Sequence, residues 1–288
     1  MDLGDASLQP ISVLGAGTFG RVFLCLQREG RQKRKVCVKR IFVKNPKSEL
    51  ALIKEEIYIM SQLRHPHIVQ FIRSFEHAGT VNIVLEYAPN GTIRNVIQGI
   101  ERSGLEETKL LRYFSDMVLG LEYLHIRHVI HRDIKPENML LDAAGRVKYA
   151  DFGISNVHAP AKQQKQCNML GTPLYMPPEI LLGGKVDFKA DLWSLGLVLY
   201  ELCVGRHPFA TLLSHDANCE QLHAVLERMT RPKLDCQLVR RRQDPVWARL
   251  CEAMVVYDQE QRVCLPDIMR MDALTTLHIY QQYFNYDY

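Results

Sequence analysis

Across 288 residues there is no long apolar run, no repeated unit, no low-complexity tract and no large excess of either charge. Each absence removes a class of protein. The most apolar stretch, residues 192–204, contains Glu201 and is too short to span a bilayer, so it reads as a buried helix. The first ten residues include acids and lack an apolar segment, which predicts no secretory signal. Lysine and arginine number 36 against 32 aspartates and glutamates, and a net charge of +4 is too small by itself to imply nucleic acid or a membrane surface as partner. Eight cysteines are present, yet none are paired at the short spacing of a zinc knuckle or redox motif. They predict reduced thiols and a cytoplasmic or nuclear location.

What remains is globular material, 47% hydrophobic and 24% charged, long enough for one large domain or two lobes sharing a core. Residues 11–14, 22–26, 36–43 and 81–87 are β-branched or apolar runs between turn and charged segments, the pattern of antiparallel strands. One helix interrupts them over 48–63, with Leu52, Ile53, Glu56, Ile57, Met60 and Leu63 on one stripe, stopped by His65-Pro66. Beyond Gly91 the period turns helical, notably over 106–125 and 190–204. Ala88-Pro89-Asn90-Gly91 carries the turn chemistry between the two regimes, and ligands favour such junctions.

Chemistry concentrates in four places. Gly15-Ala16-Gly17-Thr18-Phe19-Gly20 lies between two strand-like runs, where backbone N–H groups could approach phosphates. A dinucleotide fingerprint would need a helix next, and Val22 opens a strand instead. Val36-Cys37-Val38-Lys39 ends an apolar strand in a cation, and the helix turns Glu56 inward, so an ion pair is available to steady a charge on nucleotide phosphates. His131-Arg132-Asp133-Ile134-Lys135-Pro136-Glu137-Asn138 gathers base, cation and amide in one loop, and Asp151-Phe152-Gly153 follows. Asn138 and Asp151 are oxygen donors of the kind magnesium takes beside phosphate, while Asp133 is free to accept a hydroxyl proton.

These motifs, with Pro177-Pro178-Glu179 and Asp191-Leu192-Trp193-Ser194-Leu195-Gly196 in the same order, resemble the eukaryotic protein kinases. The resemblance implies an α+β bilobal fold: an antiparallel N-lobe over 11–87 with one key helix, a hinge over 86–91, a mainly helical C-lobe over 92–274, a flank over 1–10 and a tail over 275–288. It implies that Lys39 contacts the α and β phosphates of ATP, that Glu56 holds Lys39, that Asn138 and Asp151 bind Mg2+, and that Asp133 orients the substrate hydroxyl. Lys135 and Thr172 match positions of serine/threonine-specific members. Leu85 falls at the position guarding the back of the adenine pocket, residues 86–88 form the hinge, and Leu14, Val22, Cys37 and Leu140 are expected to sandwich the purine. Met60, Phe71, His131 and Phe152 match an apolar column joining the lobes, and Glu179 with Arg262 a bracing ion pair.

Some residues depart from the family pattern. The usual phosphorylated threonine of the loop falls on Asn168, and Ser155 is the one hydroxyl between Gly153 and Gly171, so activation is expected without that phosphate, through intrinsic order, a protein partner or phosphorylation elsewhere. Ile154 implies a threonine preference, and Glu137 with Glu201 match acids that select upstream arginine in basophilic members. Subfamily features are similar to Aurora kinases first, and to NIMA-related or polo-like kinases second. The expected protein is a monomeric, ATP-dependent serine/threonine kinase acting on protein substrates, with a pseudokinase scaffold of the same fold as the alternative.

Overall fold

The computed structural model describes residues 3–17, 20–43, 45–100, 104–151, 173–209, 224, 227 and 234–271. Three long strands open it, β1 (Leu8–Gly17), β2 (Gly20–Glu29) and β3 (Gln32–Phe42). Period-2 alternation divides them: Val36 and Val38 are fully buried on one face with Phe23, Cys25 and Val84, beneath Leu3 and Leu8. Cys37 and Lys39 therefore point to the opposite face. Helix α1 (Pro46–Gln62) buries Ile53, Glu56 and Met60, the stripe expected from the sequence, and Leu63 beyond its end is buried too.

β4 (Phe71–His77) and β5 (Thr80–Glu86) complete an antiparallel sheet of order β1-β2-β3-β5-β4. Ala78 and Gly79 both take positive φ, 47° and 71°, the requirement of a two-residue hairpin turn. β4 is an edge strand that the sequence pattern does not announce. Its residues are nearly all half-buried, so pairing with β5, not an apolar run, decides it.

The second lobe comprises α2 (Ile93–Gly99), α3 (Glu107–Ile126), the hairpin of β6 (Met139–Leu141) and β7 (Val147–Tyr149), α4 (Pro178–Leu181), α5 (Lys189–Val204), α6 (Gln237–Arg242), α7 (Pro245–Met254) and α8 (Leu265–Met269). Every residue of α5 after Lys189 is buried, as its all-round apolar sequence demands, and Gly205 ends it in the left-handed region at φ 76°. Gly196 lets α5 approach α7: a Cβ there would come within 2.8 Å of Met254. No helix among the described residues is long and apolar enough to cross a membrane.

The inter-lobe linker is not slack. Leu141 N donates to Gly91 O at 2.9 Å, Asn90 N to Leu141 O at 3.1 Å, and the Asn90 amide to Asp142 O at 2.7 Å. These bonds lock residues 90–91 onto β6 and so tie the linker from the sheet to the hairpin that directly follows the loop of residues 131–138.

Candidate active site

A cavity of about 410 Å³ opens where the sheet faces β6 and the linker. Strand register builds its roof: Val22 pairs opposite Lys39, and Cys37 opposite Leu85. Of the residues expected there, Leu14, Gly15, Val22, Cys37, Lys39, Glu56, Leu85, Glu86, Ala88, Asn138, Leu140 and Asp151 all line it. Tyr87, within the expected hinge, lines it as well, whereas Val69, Ile83, Thr92 and Ala150 line it and escaped the sequence reading, because packing alone brings them in. Burial pushes the Cys37 thiol up to about 11, with Cys25 adding to the effect, so it is a protonated roof residue.

The glycine loop divides. Ala16 and Gly20 are not among the described lining residues, and Thr18, Phe19 and Thr172 lie outside the described residues, as do residues 152–155 and Asn168. Gly20 has a different task from the phosphate cradle expected of it. A Cβ there would sit 1.8 Å from the Arg40 carbonyl oxygen, so the close approach of β2 to β3 requires glycine.

The expected Lys39–Glu56 pair is not made. Lys39 Nζ instead donates to Asp151 Oδ1, and neither carboxylate oxygen of Glu56 has a hydrogen-bond partner. The two acids differ in solvation: Glu56 is 2% exposed, whereas the Asp151 side chain is 46% exposed. Burial lifts Glu56 to about 8 despite the attraction of Lys39, so it is largely protonated at neutral pH. Burial also works against charge on Asp151, but Lys39 outweighs it and holds that carboxyl below its ordinary value. One cation between two acids thus stays with the acid that ionises at lower cost. Asp151 is held in the left-handed region, φ 58°, a backbone strain of the kind stored at working sites.

On the loop before β6, Lys135 Nζ lies 2.8 Å from both carboxylate oxygens of Asp133, and the Asn138 amide donates to Asp133 O and Oδ2 at 2.9 and 2.7 Å. With its nitrogen so engaged, Asn138 keeps its side-chain carbonyl oxygen as an acceptor beside the cavity. Neither Asp133 nor Lys135 lines the cavity itself, and Asn138 connects them to it. The loop hangs from α5. Buried Asp191 accepts from the backbone N–H groups of His131 and Arg132, each at 2.9 Å, and lies 2.9 Å from His125 Nε2. Arg132 adopts φ 65° under that tether.

A nucleotide-sized cavity bordered by a lysine–aspartate pair, with a carboxylate, a lysine and an amide clustered at its edge, is the arrangement found in phosphotransferases that act on hydroxyls. The protein kinase domain matches residues 8–274. The chain belongs to the protein kinase family. The match begins where β1 begins, at Leu8. Relatives of this kinase include Aurora kinase B of Danio rerio, 41% identical over 204 residues that make up 69% of this chain and 60% of that protein. Serine/threonine-protein kinase Nek3 of Mus musculus is 37% identical over 199 residues, 69% of this chain and 38% of that protein. NUAK family SNF1-like kinase 2 of Rattus norvegicus is 40% identical over 201 residues, 69% of this chain and 31% of that protein. The kinase domain therefore spans between 31% and 60% of the length of these relatives.

Two further sequence expectations meet different outcomes. Glu179 and Arg262 do pair, with Nη1 to Oε1 at 2.7 Å and the Arg262 side chain fully buried. Glu137 and Glu201 do converge, but not as an empty acidic pair: Glu201 is buried with both oxygens engaged, whereas Glu137 keeps a half-exposed carboxylate. Arg94 of α2 lies between them, with Nε to Glu137 Oε1 at 2.7 Å and Nη1 to Glu201 Oε1 at 3.2 Å. Nothing in the local sequence around Arg94 signals this, because its partners are 43 and 107 residues away.

Proposed function

We propose that this kinase domain transfers the γ-phosphoryl group of ATP to serine and threonine hydroxyls of proteins. The observation that carries the reading is the Asp133–Lys135–Asn138 cluster, built against a cavity whose other wall holds Lys39 and Asp151. Apolar residues of the sheet and β6 take the purine, and the backbone of residues 86–88 reads its edge. Lys39 exchanges Asp151 for phosphate oxygens as ATP enters. Asp133 accepts the hydrogen bond of the acceptor hydroxyl and aims its oxygen at the phosphorus, while Lys135 lies beside the charge that develops on the transferred group.

Asn138 and Asp151 suit Mg2+, being hard oxygen donors of which one is held ionised. When bound, Mg2+ neutralises phosphate charge. The serine/threonine assignment is supported by Lys135 and by relatives named as serine/threonine-protein kinases. The scattered cysteines support a cytoplasmic or nuclear location, Asn168 in place of the loop threonine supports activation through intrinsic order, a protein partner or phosphorylation elsewhere, and the threonine preference rests on Ile154.

The test is phosphate transfer from radiolabelled ATP and Mg2+ onto a degenerate serine/threonine peptide library, with Asp133→Asn beside the wild type. Transfer is expected from wild type, and a drop of at least about a hundredfold in the variant. Equal rates in the two proteins would refute the assignment of Asp133.

A further inference from the structure

Arg94 has an unusual set of partners for a side chain at the mouth of a substrate site. All three of its guanidinium nitrogens are used: Nε on Glu137 at 2.7 Å, Nη1 on Glu201 at 3.2 Å and Nη2 on the Tyr175 hydroxyl at 2.6 Å. Tyr175 in turn donates to the other oxygen of Glu201. Glu201 is 3% exposed and has both oxygens taken, while Glu137 keeps a half-exposed carboxylate. The position is fixed from below, because Thr92 and Asn95 form a reciprocal cap around the first turn of α2.

This cluster lies beside the place proposed above for the acceptor hydroxyl. Glu137 lines the cavity and stands on the 3-10 turn Pro136–Asn138, directly after the Asp133–Lys135 pair. A chain whose hydroxyl rests on Asp133 runs past Glu137 on one side. Two carboxylates there would draw a basic side chain strongly, and one of them is buried, where a charge-assisted pair is strongest. An incoming guanidinium finds that place filled. To enter, it must expel Arg94 and leave one buried partner unmatched, which forfeits what it would gain.

We propose that Arg94 is a specificity-determining residue that occupies the anionic subsite from within, so that this kinase takes hydroxyl peptides lacking a basic residue upstream of the acceptor. This replaces the basophilic preference that Glu137 and Glu201 suggest in the sequence, and it rests on the kinase activity proposed above. Arg94 acts as a built-in mimic of a substrate arginine. Removing it unmasks the subsite.

The experiment compares wild type, Arg94→Ala, Arg94→Gln and Arg94→Ala/Glu201→Gln on peptides with one acceptor in a neutral background and a single arginine scanned upstream. Arg94→Gln keeps a hydrogen-bond donor beside Glu201 and guards against a variant that fails to fold, which circular dichroism checks. Wild type is expected to change kcat/KM less than about twofold with arginine. Both single variants should gain about tenfold or more at one upstream position, chiefly through KM, and the double variant should lose that gain. A strong arginine preference in wild type, or folded single variants without a gain, overturns the proposal. Binding of a fluorescent arginine peptide without ATP separates the two readings. If no protein transfers phosphate yet Arg94→Gln binds that peptide about tenfold more tightly than wild type, the kinase reading fails and the subsite stands. Equal binding overturns the subsite.

Discussion

Glu56→Gln tests how charge is divided around Lys39. Both oxygens of Glu56 lack partners, and burial raises its pKa from 4.5 to about 8. The unfolded chain ionises it near the ordinary value. Between those two pH values the folded protein therefore keeps a proton that the unfolded chain has released, and the group costs stability that grows as pH rises. From 4.5 to about 8 is roughly 3.5 pH units, which at ~1.4 kcal/mol each bounds the penalty at about 5 kcal/mol near pH 8. Glutamine has the shape of the protonated acid and cannot ionise. It should match wild type near pH 5 and be more stable by several kcal/mol near pH 8, raising Tm by about 2–4 °C for each kcal/mol. Urea unfolding and thermal melts across pH 5–8.5 read this directly. A variant that is destabilised at pH 8 relative to pH 5 would show that Glu56 is ionised and paired with Lys39, and would refute the division of charge described above.

Two other perturbations probe the frame. Arg262→Ala leaves the largely shielded Glu179 carboxylate without its partner and also removes donors to Lys189 O and Val256 O, so it should cost about 3–5 kcal/mol in urea unfolding; a cost below about 1 kcal/mol would show the pair to be dispensable. Gly20→Ala drives a Cβ to 1.8 Å from the Arg40 carbonyl and should destabilise by at least about 2 kcal/mol, whereas Gly15→Ala meets nothing within 4 Å and should stay within about 1 kcal/mol; similar melting temperatures for the two would contradict the close β2–β3 approach.

The tether on Asp191 shows why the site belongs to the second lobe. Its two backbone hydrogen bonds hang the loop of residues 131–138 on α5, which is buried along its length after Lys189, so Asp133 is positioned by the core and not by the flexibility of its own loop. The nucleotide wall, by contrast, is shared between lobes. Its geometry depends on the linker bonds from Asn90 and Gly91 to β6. Lys148 adds a further tie, donating to hinge residue Glu86 at 2.6 Å from β7.

What the sequence determined by itself is what short-range spacing encodes. Strands β2 and β3 follow from alternation, α5 from a helix apolar on all sides, and the stripe of α1 from its period. Most of the residues that carry chemistry were legible too, because they sit in brief runs such as 131–138, where neighbours in the chain are neighbours in space. Tertiary structure decided the pairings. Lys39 had two acids within reach, and only their difference in burial assigns it to Asp151. Glu137 and Glu201 read as an open acidic pair until Arg94, far away in sequence, is seen between them. Gly20 reads as a phosphate glycine until β3 is placed against it. Residue types are local facts, but which charge meets which, and at what desolvation cost, is set by distances that exist only after the chain has packed.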